Sequence, residues 1–304
     1  MLKIVQTSAI KPPRLKPGAT IGIVAPASPF NTEFFEQGVT VLETMGYHVR
    51  LADGLFAAQG YLAGPDTQRA TQIHAMFQDD SVDAVMCARG GFGCTHLLPL
   101  LDFELIRLNP KPFIGFSDIT ILHQAFFLRT GLVTFHGPLV CTLRNSDEVS
   151  RDSWQQALTH DQPLCFQTQA SQSIRSGRAE GMLVGGNLSN LCHLVGTPFS
   201  VNYRDCILFI EDTGEALYRI DRMLTQMWMA GCLDGVVGVV LGNFENCGSE
   251  EGLRDLIGAQ FKNIPIAAGL MAGHGEPNLT LPLGLPALLD ANAGRLTLLE
   301  CATA

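Results

Sequence analysis

Ser117, Glu211 and His274 are the residues of this chain whose types and settings suit chemistry on a carbonyl. Ser117 follows the apolar run Pro112-Phe113-Ile114-Gly115-Phe116, and a helical pattern begins straight after it. A hydroxyl so placed projects from a turn tip beside the free N–H groups of a new helix, which suits attack on a carbonyl and stabilisation of the oxyanion. The competing role for Ser117 is a cap on the helix 118–130. Gly115 permits a tight turn, but the fifth position is Ile119, so the G-x-S-x-G elbow of the α/β hydrolases is not met. Glu211 stands at the carboxyl end of the apolar run Cys206-Ile207-Leu208-Phe209-Ile210, where α/β folds place their ligands. Its neighbour Asp212 reads as the cap of the helix that follows. In Gly273-His274-Gly275 a histidine lies in a loop after the apolar stretch 264–270, and glycine on each side presents the ring without crowding.

A serine nucleophile needs a base, and the base needs a partner that holds its tautomer and stabilises the imidazolium. Ser117, His274 and Glu211 can fill those roles, although spacing alone does not bring them together. Gly90 and Gly91 leave main-chain donors unshielded by side chains, as an oxyanion hole requires, and the same pair suits a plain turn or a phosphate cradle. A dinucleotide fingerprint would need a third glycine where His96 stands. His274-Gly275-Glu276 matches the H-x-E of zinc deaminases, but the downstream Pro-Cys-x-x-Cys is missing. His193, between Leu191 and Leu194, reads as a packed helix histidine. Neither metal nor cofactor is expected.

These residues must be positioned by alternating elements. In the first half, strands near 20–25, 47–51, 82–88, 112–116 and 132–136 are separated by helical patterns near 33–45, 66–78, 92–101 and 118–130, which predicts a parallel sheet covered on both faces. A polar stretch from Cys141 to about Glu180 reads as a crossover linker with one short helix around Trp154–Leu158. Strands near 181–184, 206–211, 236–241, 264–268 and 295–300 follow, with a helix over 215–230 whose Leu217, Ile220, Leu224 and Met227 form one apolar stripe. The expected fold is therefore two-domain α/β. A flavodoxin- or Rossmann-like parallel sheet over 1–140 carries the nucleophile, 141–180 is the linker, and 181–304 is an α/β domain with a mainly β barrel-like or mixed sheet that carries the acid and the histidine. The site then falls in the cleft between domains, where relative motion can make or break it.

Composition narrows the classes. The 304 residues are 46% hydrophobic and only 16% charged, against a usual charged share of about 25%, so a second subunit is expected to cover part of the surface as a homodimer. A net charge of −9 argues against a nucleic-acid partner. Nine cysteines without a C-x-x-C pair read as buried free thiols of a reducing compartment. Met1–Thr7 has no apolar leader core, and no apolar run approaches the ~18 residues of a membrane span. A cytoplasmic protein with no membrane partner is the expectation.

Taken together, Ala88-Arg89-Gly90-Gly91-Phe92-Gly93, Gly115-Phe116-Ser117-Asp118, Phe209-Ile210-Glu211-Asp212 and Gly273-His274-Gly275 resemble the LD-carboxypeptidases, serine peptidases that trim murein peptides. Leu15-Lys16-Pro17-Gly18 and Ile23-Val24-Ala25-Pro26-Ala27-Ser28 are similar to the start of that family, so the likeness spans residues 15–300. The resemblance implies Ser117 as nucleophile, Glu211 as acid and His274 as base, with the oxyanion held by backbone N–H groups of Gly90 or Gly91 and of Asp118. It also implies a murein peptide substrate, cut between the L-centre of a diamino acid and a terminal D-alanine. Arg89 is a candidate for the substrate carboxylate, or else a structural arginine that satisfies nearby carbonyls. A related branch hydrolyses microcin C and confers immunity; that role needs an aromatic platform for a base, for which Trp154 is the candidate. A non-enzymatic two-domain small-molecule binding protein is the remaining alternative, and it leaves the serine, glutamate and histidine unexplained. Activity is expected to survive exhaustive chelation; loss of turnover in chelator, restored by zinc, would overturn the serine assignment.

Overall fold

Short β-branched and aliphatic runs alternate with helical segments along the chain, the pattern that builds layered α/β folds. The structure is a computed structural model that describes residues 9–168 and 173–304. Met1–Thr7, and residues 169–172 of the polar stretch, lie outside the described residues. The first part runs β1 (Thr20–Val24), α1 (Thr32–Thr44), β2 (His48–Leu51), α2 (Asp66–Gln78), β3 (Ala84–Cys87), α3 (Cys94–Leu97), α4 (Phe103–Leu108) and β4 (Phe113–Gly115). A 3-10 turn at Ser117–Ile119 leads into α5 (Thr120–Thr130), then β5 (Thr134–His136), α6 (Val140–Leu143), α7 (Glu148–Thr159) and β6 (Cys165–Gln167). The rest is β7 (Arg178–Asn187), α8 (Leu188–His193), β8 (Cys206–Thr213), α9 (Leu217–Met229), β9 (Gly238–Glu245), α10 (Glu250–Gln260), β10 (Ile266–Ala267), β11 (Leu281–Leu283), β12 (Leu285–Asp290) and β13 (Arg295–Leu298).

Two sheets result. The first has the order β11-β5-β4-β3-β1-β2, parallel throughout except for β11, which pairs antiparallel with β5. The second has the order β10-β9-β8-β7-β12-β13-β6, with β7 to β10 parallel and the other three antiparallel. Of the two forms expected for the second sheet, the mixed one is formed, with β10 and β6 as its edges. β11 lies late in the chain yet completes the first sheet. β6, from the stretch expected to be a linker, completes the second.

Local departures from the expected elements have local causes. The helix expected over 92–101 is cut down to the single turn α3, which ends ahead of Pro99, a residue without an N–H; α4 is a separate helix beyond the expected range, started by Asp102, which accepts from Glu104 and Leu105 N–H at 3.0 Å each. The polar stretch holds the 12-residue α7, with Trp154 fully buried edge-on to Tyr47 at 5.3 Å. Trp154 is therefore a core residue and offers no platform to a base. Six of the cysteines are buried as expected, but Cys165 is exposed and Cys141 and Cys301 are half-buried.

The two sheets share apolar packing. One continuous cluster contains Ile21, Ile114 and Phe135 of the first sheet and Leu183, Phe209 and Val240 of the second. Helix α5, directly after the serine, lies against β7 and is buried on nearly every side. Thr120 Oγ1 accepts from Asn187 N–H at 3.0 Å, and Gln124 Nε2 donates to the Gly185 carbonyl at 2.8 Å. The close approach needs glycine in β7: a Cβ on Gly186 (φ +141°) would come within 2.6 Å of Thr120 Oγ1. Gly186→Ala should consequently lower the unfolding free energy by about 1–3 kcal/mol, read from a urea midpoint. An unchanged midpoint would mean that α5 does not rest on this strand.

Candidate active site

Strand β4 ends at Gly115, Phe116 is extended, and Ser117 turns with φ +65°, a left-handed conformation uncommon for a residue with a Cβ. The absence of a side chain at Gly115 makes room for Ile119, whose Cγ1 and Cγ2 would lie 3.0 Å from a Cβ there. That contact explains how the turn tolerates isoleucine where an elbow motif has glycine. Neither the 3-10 turn nor α5 has a side-chain cap, so Ser117 is not a helix cap. It is half-buried and lines a cavity of about 220 Å³.

Glu211 lies on β8 and is fully buried. Opposite it the β8–β9 register shifts, so that Gly242 and Asn243 together face one residue of β8. Such a bulge re-aims side chains. A Cβ on Gly242 would sit 3.0 Å from Glu211 Cβ and 2.5 Å from the Ala272 carbonyl, so glycine lets the histidine loop close over the carboxylate.

His274 is held at both ends of its own residue: its backbone N–H donates to Glu211 Oε2 at 3.1 Å, and its Nδ1–H donates to the same oxygen at 2.8 Å. The carboxylate acceptor sets the tautomer and leaves the lone pair on Nε2. Both flanking glycines are needed for this. Gly273 (φ +100°) would push a Cβ to 2.5 Å from Glu211 Oε2, and Gly275 (φ +126°) would place one 2.9 Å from Asn243 Nδ2. The Phe116 ring stands against the imidazole at 4.9 Å, edge to face. His274 lines the same cavity as Ser117. No hydrogen bond joins the two side chains among the described residues, a spacing that catalytic pairs often show before a substrate closes it.

Burial opposes charge on His274, but the Glu211 hydrogen bond and charge, with Asp212 and Glu245 beyond, outweigh it and raise the pKa above the ordinary imidazole value. Two more histidines lie behind the site. Burial lowers His123 to about 4, although its hydrogen bond to the Gly115 carbonyl opposes this, and burial with repulsion from His123 and His274 lowers His136 well below its usual range. His274 is thus the histidine of this cluster whose charged form is favoured, while burial keeps the other two neutral.

The other residues singled out from sequence divide. Gly91 and Asp118 line the cavity, while Gly90 lies against the nucleophile, where a Cβ would be 3.2 Å from Ser117 Oγ. Arg89 is exposed, is not among the residues that line this cavity, and donates to the Pro29 carbonyl at 2.6 Å. Asp212 does not cap α9; its carboxylate accepts from Ser189 N–H and Oγ and from Asn187 Nδ2 at 2.8–2.9 Å and so holds the start of α8. His193 is exposed at the cavity rim rather than packed. Glu276 is exposed in a second cavity of about 400 Å³ on another side of His274. No group of three or more His, Cys, Asp or Glu that could hold a metal occurs among the described residues. Phe92 and Glu215, not singled out from sequence, also line the serine cavity. Distant segments meeting in the fold bring them there, and each is chemically ordinary in its local sequence.

Residues 21–137 match the LD-carboxypeptidase N-terminal domain, and residues 180–289 match the LD-carboxypeptidase C-terminal domain. The chain is 40% identical over 294 residues to the "Probable murein peptide carboxypeptidase" of Bacillus subtilis, covering 92% of this chain and 91% of that protein. It is 34% identical over 292 residues to the "Murein tetrapeptide carboxypeptidase" of Pseudomonas aeruginosa, covering 90% and 93%. The crystal structure of an MccF-like protein from Bacillus anthracis superposes with a TM-score of 0.90 at 29% identity, over 96% of this chain and all of that one.

The neutral imidazole is the form able to accept a proton, so the rate should fall as pH drops through a value above the ordinary ~6.5. Glu211→Gln removes the main raising causes and should move that limb to lower pH while cutting kcat on the order of 10³–10⁴-fold. A pH–rate profile of both proteins checks this; an unmoved limb would detach Glu211 from His274.

Proposed function

The chain belongs to the LD-carboxypeptidase family of serine carboxypeptidase hydrolases, and on that premise we propose that it removes the terminal D-alanine from murein tetrapeptide through a Ser117–His274–Glu211 triad. The observation that carries this reading is the convergence of Ser117, from the first sheet, and the Glu211-bonded His274, from the second, on one cavity. Ser117 Oγ attacks the scissile carbonyl, and its proton passes to His274 Nε2. Negative charge on the carbonyl oxygen is received by backbone N–H groups of the Gly90–Gly91 segment and of Asp118. Glu211 offsets the charge of the imidazolium. Collapse of the intermediate breaks the C–N bond as His274 returns the proton to the departing D-alanine amine. Water, deprotonated by His274, then cleaves the acyl-Ser117 ester and releases the shortened peptide.

The names of the relatives support a murein peptide, and so does the cavity lining. It includes Glu215 and no lysine or arginine, which suits the ammonium of a diamino acid. In this reading the substrate enters between the halves 1–140 and 181–304. Nine cysteines without a disulfide support a cytoplasmic enzyme that acts on recycled fragments. Among the described residues no helix is long and apolar enough to cross a membrane. The low charged fraction of 16% supports a homodimer.

One observation favours a second reading, cleavage of a microcin-type aminoacyl nucleotide. Phe92 is exposed on the serine cavity with the Tyr61 ring 5.6 Å away, and such a pair offers the aromatic face that a nucleobase would need. The two readings part on a single assay, mass spectrometry of tetrapeptide and of an aminoacyl-adenylate analogue after incubation with the enzyme. The murein reading expects loss of one alanine from tetrapeptide ending in D-alanine, no loss from the L-alanine epimer, and at least ~10³-fold slower turnover by folded Ser117→Ala. Cleavage of the adenylate analogue alone would reverse the choice, and near-normal turnover by the alanine variant would remove the mechanism.

A further inference from the structure

The loop that carries Gly90 and Gly91 is rich in glycine, and two of its residues, Gly91 (φ +109°) and Gly93 (φ +131°), adopt conformations that peptide rotation could easily exchange. A loop of this kind does not hold its N–H groups in place unaided. Two buried ionic side chains grip it. Arg69 of α2 is fully buried, and its guanidinium donates to carbonyls of three separate loops: Gly64 at 3.2 Å, Pro26, and Gly93 at 3.0 Å. The same guanidinium pairs with Asp66. Asp118, only 2% exposed, accepts the Cys94 N–H at 2.9 Å through Oδ2.

The Gly93 carbonyl and the Cys94 N–H belong to one peptide group. That group is therefore bonded to a guanidinium at its oxygen and to a carboxylate at its nitrogen. Turning it over would break both charge-assisted bonds and leave both ions buried without these partners. Asp118 is also the residue next to the nucleophile, so its bond sets the spacing between the Ser117 turn and the loop. On the other flank Ser28 completes the hold: its N–H donates to the Gly90 carbonyl at 3.2 Å, and its Oγ accepts the Phe92 N–H at 3.1 Å. We propose that Arg69 and the Asp118 carboxylate are positioning residues that pin the Gly93–Cys94 peptide and so hold the oxyanion-binding amides of the Gly90–Gly91 segment against Ser117. This rests on the serine mechanism proposed above and adds two buried side chains, neither of them hydrogen-bonded to His274.

The test compares wild type with Asp118→Ala, Asp118→Asn and Arg69→Lys in kcat and KM on tetrapeptide and in the rate of Ser117 labelling by a fluorophosphonate. Loss of alignment acts on the transition state, so Asp118→Ala should lower kcat and labelling by about 10²–10³-fold with KM nearly unchanged. Asp118→Asn keeps an acceptor for the Cys94 N–H and should recover most of that loss, and Arg69→Lys should fall in the same direction as the alanine variant. A folded Asp118→Ala or Arg69→Lys with normal kcat, or with a loss carried by KM, overturns the pin. In wild type the Cys94 amide should be among the slowest to exchange with solvent; exchange at the rate of an exposed loop overturns the proposal whether or not the variants fold. Wild type that does not label at Ser117 defeats the serine mechanism itself, whereas equal labelling of wild type and variants defeats the pin alone.

Discussion

The bond between Glu211 and His274 is the contact on which the rest of the site depends. A fully buried carboxylate is costly unless it is well solvated by donors. Here one residue supplies two of them, a backbone N–H and a ring N–H, to the same oxygen. That geometry allows little variation. It calls for the register shift opposite Glu211, for Gly242 beneath the loop, and for Gly273 and Gly275 on either side of the ring. Each glycine is where a Cβ would enter the space of the pair or its supports. The charge of Glu211 then raises the affinity of the imidazole for a proton, so stability of the contact and basicity of His274 have a common origin.

The nucleophile reaches this pair through packing rather than through sequence proximity. Ser117 is carried on a left-handed turn at the end of the central β4, and the helix that leaves the turn is pressed onto the glycines of β7. The chain beyond His274 does not stay with the second sheet: β11 returns to pair with β5 of the first. The histidine loop is thus tied to both sheets, and one apolar cluster runs across them. Such shared packing resists sliding of one half over the other more than a hinged pair of separate domains would. Asp212, beside Glu211, ties the start of α8 to the same region, so the acid strand orders two neighbouring segments at once.

Much of this was legible in the residues alone, for reasons that are local. A strand followed by serine and a helix, an acid at the end of an apolar run, and a histidine between glycines each follow from backbone preference within a few residues. The strand and helix alternation of the first half is equally local, and it appears with small shifts of boundary. The early end of α3 before Pro99 and the start of α4 at Asp102 were also within reach, since proline and an Asp cap are local signals.

Other features depended on partners far away in sequence, and only the tertiary structure decided them. Arg89 turns to the Pro29 carbonyl, Trp154 is enclosed by core, and Asp212 braces the start of α8, whose cap is Asn187, instead of capping α9. In each case the side chain had more than one chemically reasonable partner, and the choice was made by which strands and loops lie adjacent. β11 is the clearest instance: three apolar residues at 281–283 reveal their own tendency to extend, but not which sheet edge will take them. By itself the sequence determined which residues are fit for acyl transfer and where turns permit them, because periodicity and glycine freedom act over a few residues. Whether Ser117 and the Glu211–His274 pair would face one cavity rested on long-range strand pairing and on the burial of their ionic supports, energies that exist only once the chain has closed on itself.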